Sequence, residues 1–559
     1  MRPEPATSIK RPDQTQGPDQ TRLPGGRTSR DGTQPTERRG RFPERGPLPE
    51  RLADFLASEP YRDASGSGGI VRGPDPLTGE FRDRFAANTA ADVERAYESA
   101  RIAARTWAAR PVEHRARVLL RLHSALRRHE DLLLDIIQFE TGKARIHAYD
   151  EVLDTYNVCR HYGVTAPRRL RPERRRGAVP GLTRTEVTRT PVGVVGFITP
   201  WNYPLTLGAT DLFAALVAGN AVVHKPDSQT ALTAVIMRRL AIAVGLPAEV
   251  WQLVPGENDE VGPALIAGAD GLAFTGSTAT GRTIAAEAGS RLVPAALELG
   301  GKNPMLVLAD ADLEAAVAGA VRGCFASAGQ LCLSIERIYV HADLYAEFCA
   351  HFAEATRKLR LGAELAYGPE MGSLAGPKQF DRVSAHVDQA RATGAHVIAG
   401  GHPVPELGPF FYAPTVLTDV PEAADLRTEE TFGPVVAVYP VASDAEAIAR
   451  ANDSAYGLNA SVWSRRNGMA AARQLASGMV NVNESYIAAW GSIDAPAGGV
   501  KASGLGHRHG VEGLLQFTDA HTIAEQRLVP IAPGGLLDQP RFARTLTSVF
   551  GAMRALRMK

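Results

Sequence analysis

The sequence predicts an α/β protein with two doubly wound domains and a small β element. Two runs in which short apolar strands alternate with helices predict the domains, at about 192–275 and 304–485. A polar alternating stretch, Thr183–Thr190, predicts an exposed strand for the β element. A length of 559 residues leaves room for about three or four domains.

Composition narrows the class. Apolar residues make up 44% and charged residues 22%, as in ordinary globular proteins. Lys+Arg number 62 against 61 Asp+Glu, so a net charge of +1 gives no case for a nucleic-acid partner. Four cysteines without CxxC spacing suggest neither a disulfide scaffold nor a metal site, and they fit a reducing compartment. No apolar leader follows Met1 and no run reaches about 18 apolar residues, which predicts a cytoplasmic protein.

Residues 1–69 read as a disordered Pro/Gly/Arg-rich tail. The first fifty hold nine Pro, six Gly and only five of Leu, Ile, Met and Phe, too few to offset chain ordering. Folded sequence is expected from Ile70. Helices are predicted at 90–109, with Asn88 or Thr89 as cap, at about 112–128, and through Leu132–Phe139 to a stop near Gly142. The run Val192–Ile198 then reads as a buried parallel strand. Helix 205–218, strand 221–224, helix 230–244, strand 251–254, helix 259–267 and strand 272–274 follow. The second series predicts strand 305–308, helix 312–327, strand 337–340, helix 343–359 and strand 435–439.

Several residues in these series could carry chemistry. Cys332 follows a helix and a glycine in Ser327–Cys332. A thiol reacts as thiolate, which needs an electropositive or helix-terminal setting, and a lone cysteine also reads as a small buried hydrophobe. Glu298, among Ala and Leu before Gly300 and Gly301, would have its pKa raised by an apolar setting, toward a general base; a salt-bridged helix end is the plainer reading. Pro200-Trp201-Asn202-Tyr203-Pro204 is a stiff loop at a strand's carboxyl end, where open α/β sheets bind ligands. There Asn202 could donate to a developing oxyanion. Lys225-Pro226-Asp227-Ser228 also follows a strand, and Lys225 could reach a ribose or phosphate. Gly276–Gly281 opens a helix whose N–H groups favour anions. The chain has no Gly-x-Gly-x-x-Gly turn after a strand and no Walker lysine.

Taken in order, these motifs resemble the aldehyde dehydrogenase family. They are Ile198–Pro204, Lys225-Pro226, Phe274–Ser277, Glu298–Lys302, Gly329–Cys332 and Glu430–Pro434, and the resemblance covers about 75–530. Lys225–Thr230 and Cys332–Arg337 look like an actinobacterial branch named NADP-dependent succinate-semialdehyde dehydrogenases. The resemblance implies an aldehyde dehydrogenase-like fold: a dinucleotide-binding domain at 70–172 and 192–298, a catalytic domain at 299–500, and an oligomerisation element at 173–191 and 501–530. It implies Cys332 as nucleophile, Asn202 as oxyanion donor and Glu298 as the base that activates water. Trp201, Asn202, Lys225, Pro226, Asp227, Ser228, Gly276, Ser277, Leu299, Glu430 and Phe432 would bind the dinucleotide, with no metal. In this family the Gly-x-Gly-x-x-Gly turn is not needed.

Ser228 bears on the choice of dinucleotide. NAD-preferring relatives often carry Glu three residues after the lysine, where it would repel a 2′-phosphate. Neutral Ser228 implies NADP, with NAD as the alternative. For substrate, the resemblance implies succinate semialdehyde or a related aldehyde. Yet succinate-semialdehyde enzymes use arginines six residues before the cysteine and eight after the loop asparagine, where this chain has Ala326 and Thr210. An uncharged aliphatic or aromatic aldehyde is the alternative, because a buried carboxylate without a cation is costly. A non-catalytic scaffold, or a membrane-surface module using the C-terminal helix, is the reading outside enzymes. A CoA-acylating version would need no water step, against which Glu298 speaks.

The basic run Arg168–Arg176 and the strand after it fall where the family joins subunits, which implies a homodimer or homotetramer. Residues 531–559 form an amphipathic extension. Phe542, Leu546, Val549, Phe550, Met553 and Leu556 recur at helical spacing beside Arg541, Arg544, Arg554, Arg557 and Lys559. Such a helix docks on protein or touches an anionic membrane surface, here through 541–559.

Overall fold

The computed structural model describes residues 47–557 except 65, 178, 180, 181, 529 and 536. Two large sheets, a two-stranded ribbon and a three-stranded sheet organise them. The first large sheet orders its strands Gly504–Leu505, Ala295–Glu298, Gly271–Thr275, Val194–Thr199, Ala221–Pro226 and Trp251–Leu253. All pairs are parallel except that of Gly504–Leu505. From Val194–Thr199 the chain builds first toward Trp251–Leu253, then returns to add Gly271–Thr275 on the other flank. That reversal opens a crevice at the strands' carboxyl ends, between the loops after Thr199 and Thr275.

The second large sheet runs His396–Ala399, Thr415–Thr418, Val435–Val441, Ile335–His341, Asn303–Val307, Asn459–Trp463 and Met479–Val482. Only His396–Ala399 is antiparallel. Its inner strands are largely buried, Asn303–Val307 and Asn459–Trp463 along their whole length. Each sheet has its own apolar core.

The three early helices stand at Ala90–Ala108, Val112–Arg128 and Glu130–Thr141. Thr89 caps the first with a reciprocal box to Asp92, and Gly142 ends the third at φ +73°. A fourth, Arg145–Arg169, went unseen in the sequence. Its apolar stripe is interrupted by buried Arg145, Glu151 and Asp154; Arg145 pairs with Asp135 at 2.7 Å, and the two carboxylates serve the site below.

Two sequence boundaries need correction. The expected tail 1–69 includes the helix Glu50–Ala57, where Leu52 and Phe55 are buried and Arg51 pairs with Asp135 at 2.6 Å. One short amphipathic turn was hidden by Pro/Gly-rich neighbours; residues 1–46 lie outside the described residues. The expected oligomerisation segment 501–530 is divided. Gly504–Leu505 joins the first large sheet, and helix Gly510–Leu515 packs on helix Pro204–Ala218. Only Thr518–Gln526 pairs with Thr183–Pro191, which in turn pairs with Glu173–Arg176.

Candidate active site

A cleft of about 500 Å³ lies between the carboxyl edge of the first sheet and the amino edge of the second. Cys332, Glu298, Asn202, Trp201, Asp227, Gly276, Leu299, Glu430 and Phe432 share its wall, with Ser277. Lys225, Pro226 and Ser228 do not. Lys225 and Pro226 are buried at the end of a central strand, and the Ser228 hydroxyl donates to the Gly256 carbonyl at 3.0 Å.

The Cys332 loop is built by backbone conformation. After helix Leu313–Phe325, Ser327, Ala328 and Gly329 take φ of 50°, 54° and 70° in succession. Left-handed Ser and Ala are strained, and that strain persists only where the surroundings over-determine it. Here they do. Ser327 Oγ donates to Tyr203 Oη (2.8 Å), Gln330 Nε2 donates to the Ser327 carbonyl (3.0 Å), and a Cβ on Gly329 would strike the Gly433 carbonyl. Asn303 Nδ2 fixes the Cys332 carbonyl at 2.8 Å.

Asn202 is positioned from beneath. Its amide donates to the Gln330 carbonyl at 3.0 Å, which places the donor beside the cysteine loop. Lys143 Nζ donates to the Asn202 carbonyl (2.6 Å), pairs with Glu151 (2.5 Å) and sits 3.6 Å from the Tyr203 ring centre. Glu151 accepts from the Leu205 N–H at 2.9 Å. This buried pair therefore ties the loop Pro200–Pro204 to helix Arg145–Arg169.

Glu298 ends strand Ala295–Glu298 and is 8% exposed. Burial pushes its carboxyl up to about 8, against the pull of Arg508. Burial pushes the Cys332 thiol up to about 12, again opposed by Arg508 and reinforced by Glu298 and Glu430. Arg508 was missed by sequence reading. It is 2% exposed, pairs with Asp211 at 3.1 Å and donates to Thr275 Oγ1 beside Glu298, its register neighbour. A charged residue inside the glycine-rich stretch Gly504–Gly513 was the available signal.

The sign for catalysis follows. A base at Glu298 takes a proton only as carboxylate, so in that role turnover is expected to rise with pH and level off above about 8. Arg508→Met is expected to move that limb up by about one pH unit or more. Arg508→Lys is expected to restore it, which mere loss of packing would not. A pH–rate profile of the three proteins checks this.

Glu430 accepts from the Gly301 N–H at 2.8 Å, and burial followed by Glu336 pushes it to about 7. A Cβ on Gly300 would lie 2.5 Å from Glu430 Oε2, so only glycine admits the carboxylate there. Ser277, on the cleft wall, caps helix Thr278–Arg291, its hydroxyl accepting from the Thr280 N–H at 3.3 Å. Lys378 and Arg382, on helix Pro377–Ala392, add cations to the wall that the sequence reading overlooked. Helix terminus, carboxylate and cations fit a dinucleotide.

A second cavity, of about 100 Å³, reaches Cys332 from the opposite side. Tyr203, Leu333, Tyr486, Ile487 and Trp490 supply its apolar wall, with Leu153 and Ile487 40% and 45% exposed. Asp150 and Asp154 line it too, both pushed up to about 6 by burial. No lysine or arginine is among its described lining residues. Ala326 and Thr210 are buried, and Thr210 donates its hydroxyl to the Thr206 carbonyl (2.7 Å).

A thiol reached from a dinucleotide-sized cleft and from a second, largely apolar pocket fits an oxidoreductase of the aldehyde-oxidising class. The chain belongs to the aldehyde dehydrogenase family, whose model matches residues 64–523. It is 47% identical, over 86% of its own length and 93% of the relative's, to a Mycolicibacterium smegmatis protein provisionally named an NADP(+) succinate-semialdehyde dehydrogenase. A 4,4'-diapolycopene aldehyde oxidase of Methylomonas sp is 38% identical over 79% of this chain and 83% of that one. Among solved structures, betaine aldehyde dehydrogenase from Staphylococcus aureus in complex with NAD+ superimposes with TM-score 0.79 and 30% identity, over 85% and 99% of the two chains. The chain is thus an enzyme acting on an aldehyde with NAD or NADP. Among the described residues no acidic, His and Cys cluster could hold a metal, and no helix is long and apolar enough to cross a membrane.

Proposed function

We propose that the protein oxidises an aldehyde to its carboxylic acid through a thioester on Cys332, with NADP as preferred acceptor. The observation that carries this is the convergence of Cys332, Glu298 and the Asn202 amide on one cleft. A bound oxidised dinucleotide supplies the hydride acceptor and positive charge in the cleft. Trp201, Gly276, Ser277, Leu299, Glu430 and Phe432 would hold it. The Cys332 thiol gives its proton to solvent water, the thiolate adds to the carbonyl carbon, and Asn202 with the Cys332 N–H stabilises the oxyanion. Loss of hydride from the thiohemiacetal leaves the thioester. Glu298 takes a proton from water, hydroxide adds to the acyl carbon, and the acid leaves as Cys332 is regenerated.

Neutral Ser228 supports NADP, since a carboxylate there would repel a 2′-phosphate. Ser228→Glu is expected to lower kcat/KM with NADP at least about tenfold relative to NAD; steady-state kinetics with both cofactors checks it. The arm Thr183–Pro191 with Thr518–Gln526 supports assembly as a dimer or tetramer.

The relatives' name supports succinate semialdehyde as substrate. The lining of the second pocket favours a second reading, an uncharged aldehyde, because Asp150 and Asp154 would repel a carboxylate. A series comparing succinate semialdehyde with uncharged aliphatic and aromatic aldehydes, in wild type and Asp150→Asn, tests it. Under the second reading an uncharged aldehyde has the higher kcat/KM, and Asp150→Asn improves only succinate semialdehyde. The opposite ranking would return the substrate to the relatives' name.

A further inference from the structure

Beyond the family match the chain ends in helix Gln539–Ala555. Asp538 caps it, accepting from the Arg541 N–H at 2.9 Å, and a proline starts it. From 539 to the end there is no Asp or Glu, while Arg541, Arg544, Arg554, Arg557 and Lys559 are all present. In a protein of net charge +1, this is a concentrated basic terminus.

At 100° per residue, Phe542, Leu546, Val549, Phe550, Met553 and Leu556 fall within an arc of roughly 120°. Arg541 and Arg554 flank that arc. The far side carries Arg544 and the small residues Ser548, Gly551 and Ala555. Phe542, Leu546, Val549 and Met553 are half-buried, Phe550 is 47% exposed and the adjoining Leu556 71%. An apolar stripe of this size would not stay in water without something to cover it.

We propose that this helix seats the enzyme on an anionic lipid surface. The apolar arc would enter the acyl boundary, and the flanking arginines would meet acidic headgroups. Charge complementarity decides for lipid: every ionisable group of the helix is cationic, so the affinity sums over headgroups without a fixed register. The helix is about 26 Å long, so it lies along the surface. The inference stands apart from the choice of aldehyde, although apolar aldehydes concentrate in the same phase.

Flotation of the full chain with vesicles of equal phosphatidylglycerol and phosphatidylcholine, and with pure phosphatidylcholine, tests this. The expected result is recovery with the anionic vesicles only, weakened by high salt. Each Arg→Gln change at 541, 554 or 557 is expected to weaken binding about fivefold, and the same change at 544, on the far side, less. Leu546→Glu is expected to abolish binding while leaving oxidation of a soluble aldehyde and the oligomeric mass unchanged. Equal recovery with neutral vesicles, or none with either, would overturn the proposal. So would a Leu546→Glu protein that falls apart into smaller oligomers, because the stripe would then be a subunit contact.

Discussion

Replacing Cys332 with alanine is expected to lower aldehyde oxidation by about four orders of magnitude or more. The size follows from what the thiol does. It is the only cysteine on the cleft wall; Cys159 and Cys324 are buried elsewhere and Cys349 lies on helix Ala342–Arg357. Without it no thiohemiacetal forms, and hydride would have to leave a hydrated aldehyde that nothing holds in register. The fold is expected to survive, since the loop is held by Ser327, Gln330, Asn303 and Gly329 and not by the sulfur. Unchanged dinucleotide binding together with lost turnover is therefore the expected pair of results, read by calorimetry and reduced-cofactor absorbance.

Glu298→Gln is expected to cut steady-state turnover by about two to four orders of magnitude, the usual range for a general base. The first turnover is expected to survive, because attack and hydride loss are assigned to Cys332 and Asn202. The signature is a burst of reduced cofactor equal to the enzyme, followed by a slow phase. Glutamine keeps the shape and cannot take the proton. Its neutrality also removes a charge whose burial raises Glu298 and, with it, Cys332. Loss of the burst along with the slow phase would move Glu298 to an earlier step.

The parallel strands were legible because burial on both faces gives them short apolar runs, as in Val194–Ile198 and Ala221–Val223. The motif residues were legible because turns and strand ends need particular residues, as at Gly300 before Glu430. Helix Arg145–Arg169 was hidden because it buries charges in place of an apolar stripe. Lys143 and Glu151 look like surface residues in sequence and hold the Asn202 loop in space. Arg508 lies 176 residues beyond Cys332 by subtraction of their numbers, and only folding brings it to Asp211 and Thr275. The short strands Thr415–Thr418 and Met479–Val482 carried too few residues to show a period.

The central claim is a covalent acyl group on Cys332, and intact mass of the Glu298→Gln protein tests it most directly. The protein is mixed with NADP and an aldehyde, quenched in acid and weighed, and the modified peptide is sequenced. The expected result is a gain equal to the aldehyde's mass less two hydrogens, confined to the peptide bearing Cys332 and absent without cofactor. Steady production of acid with no adduct on Cys332 would contradict the account.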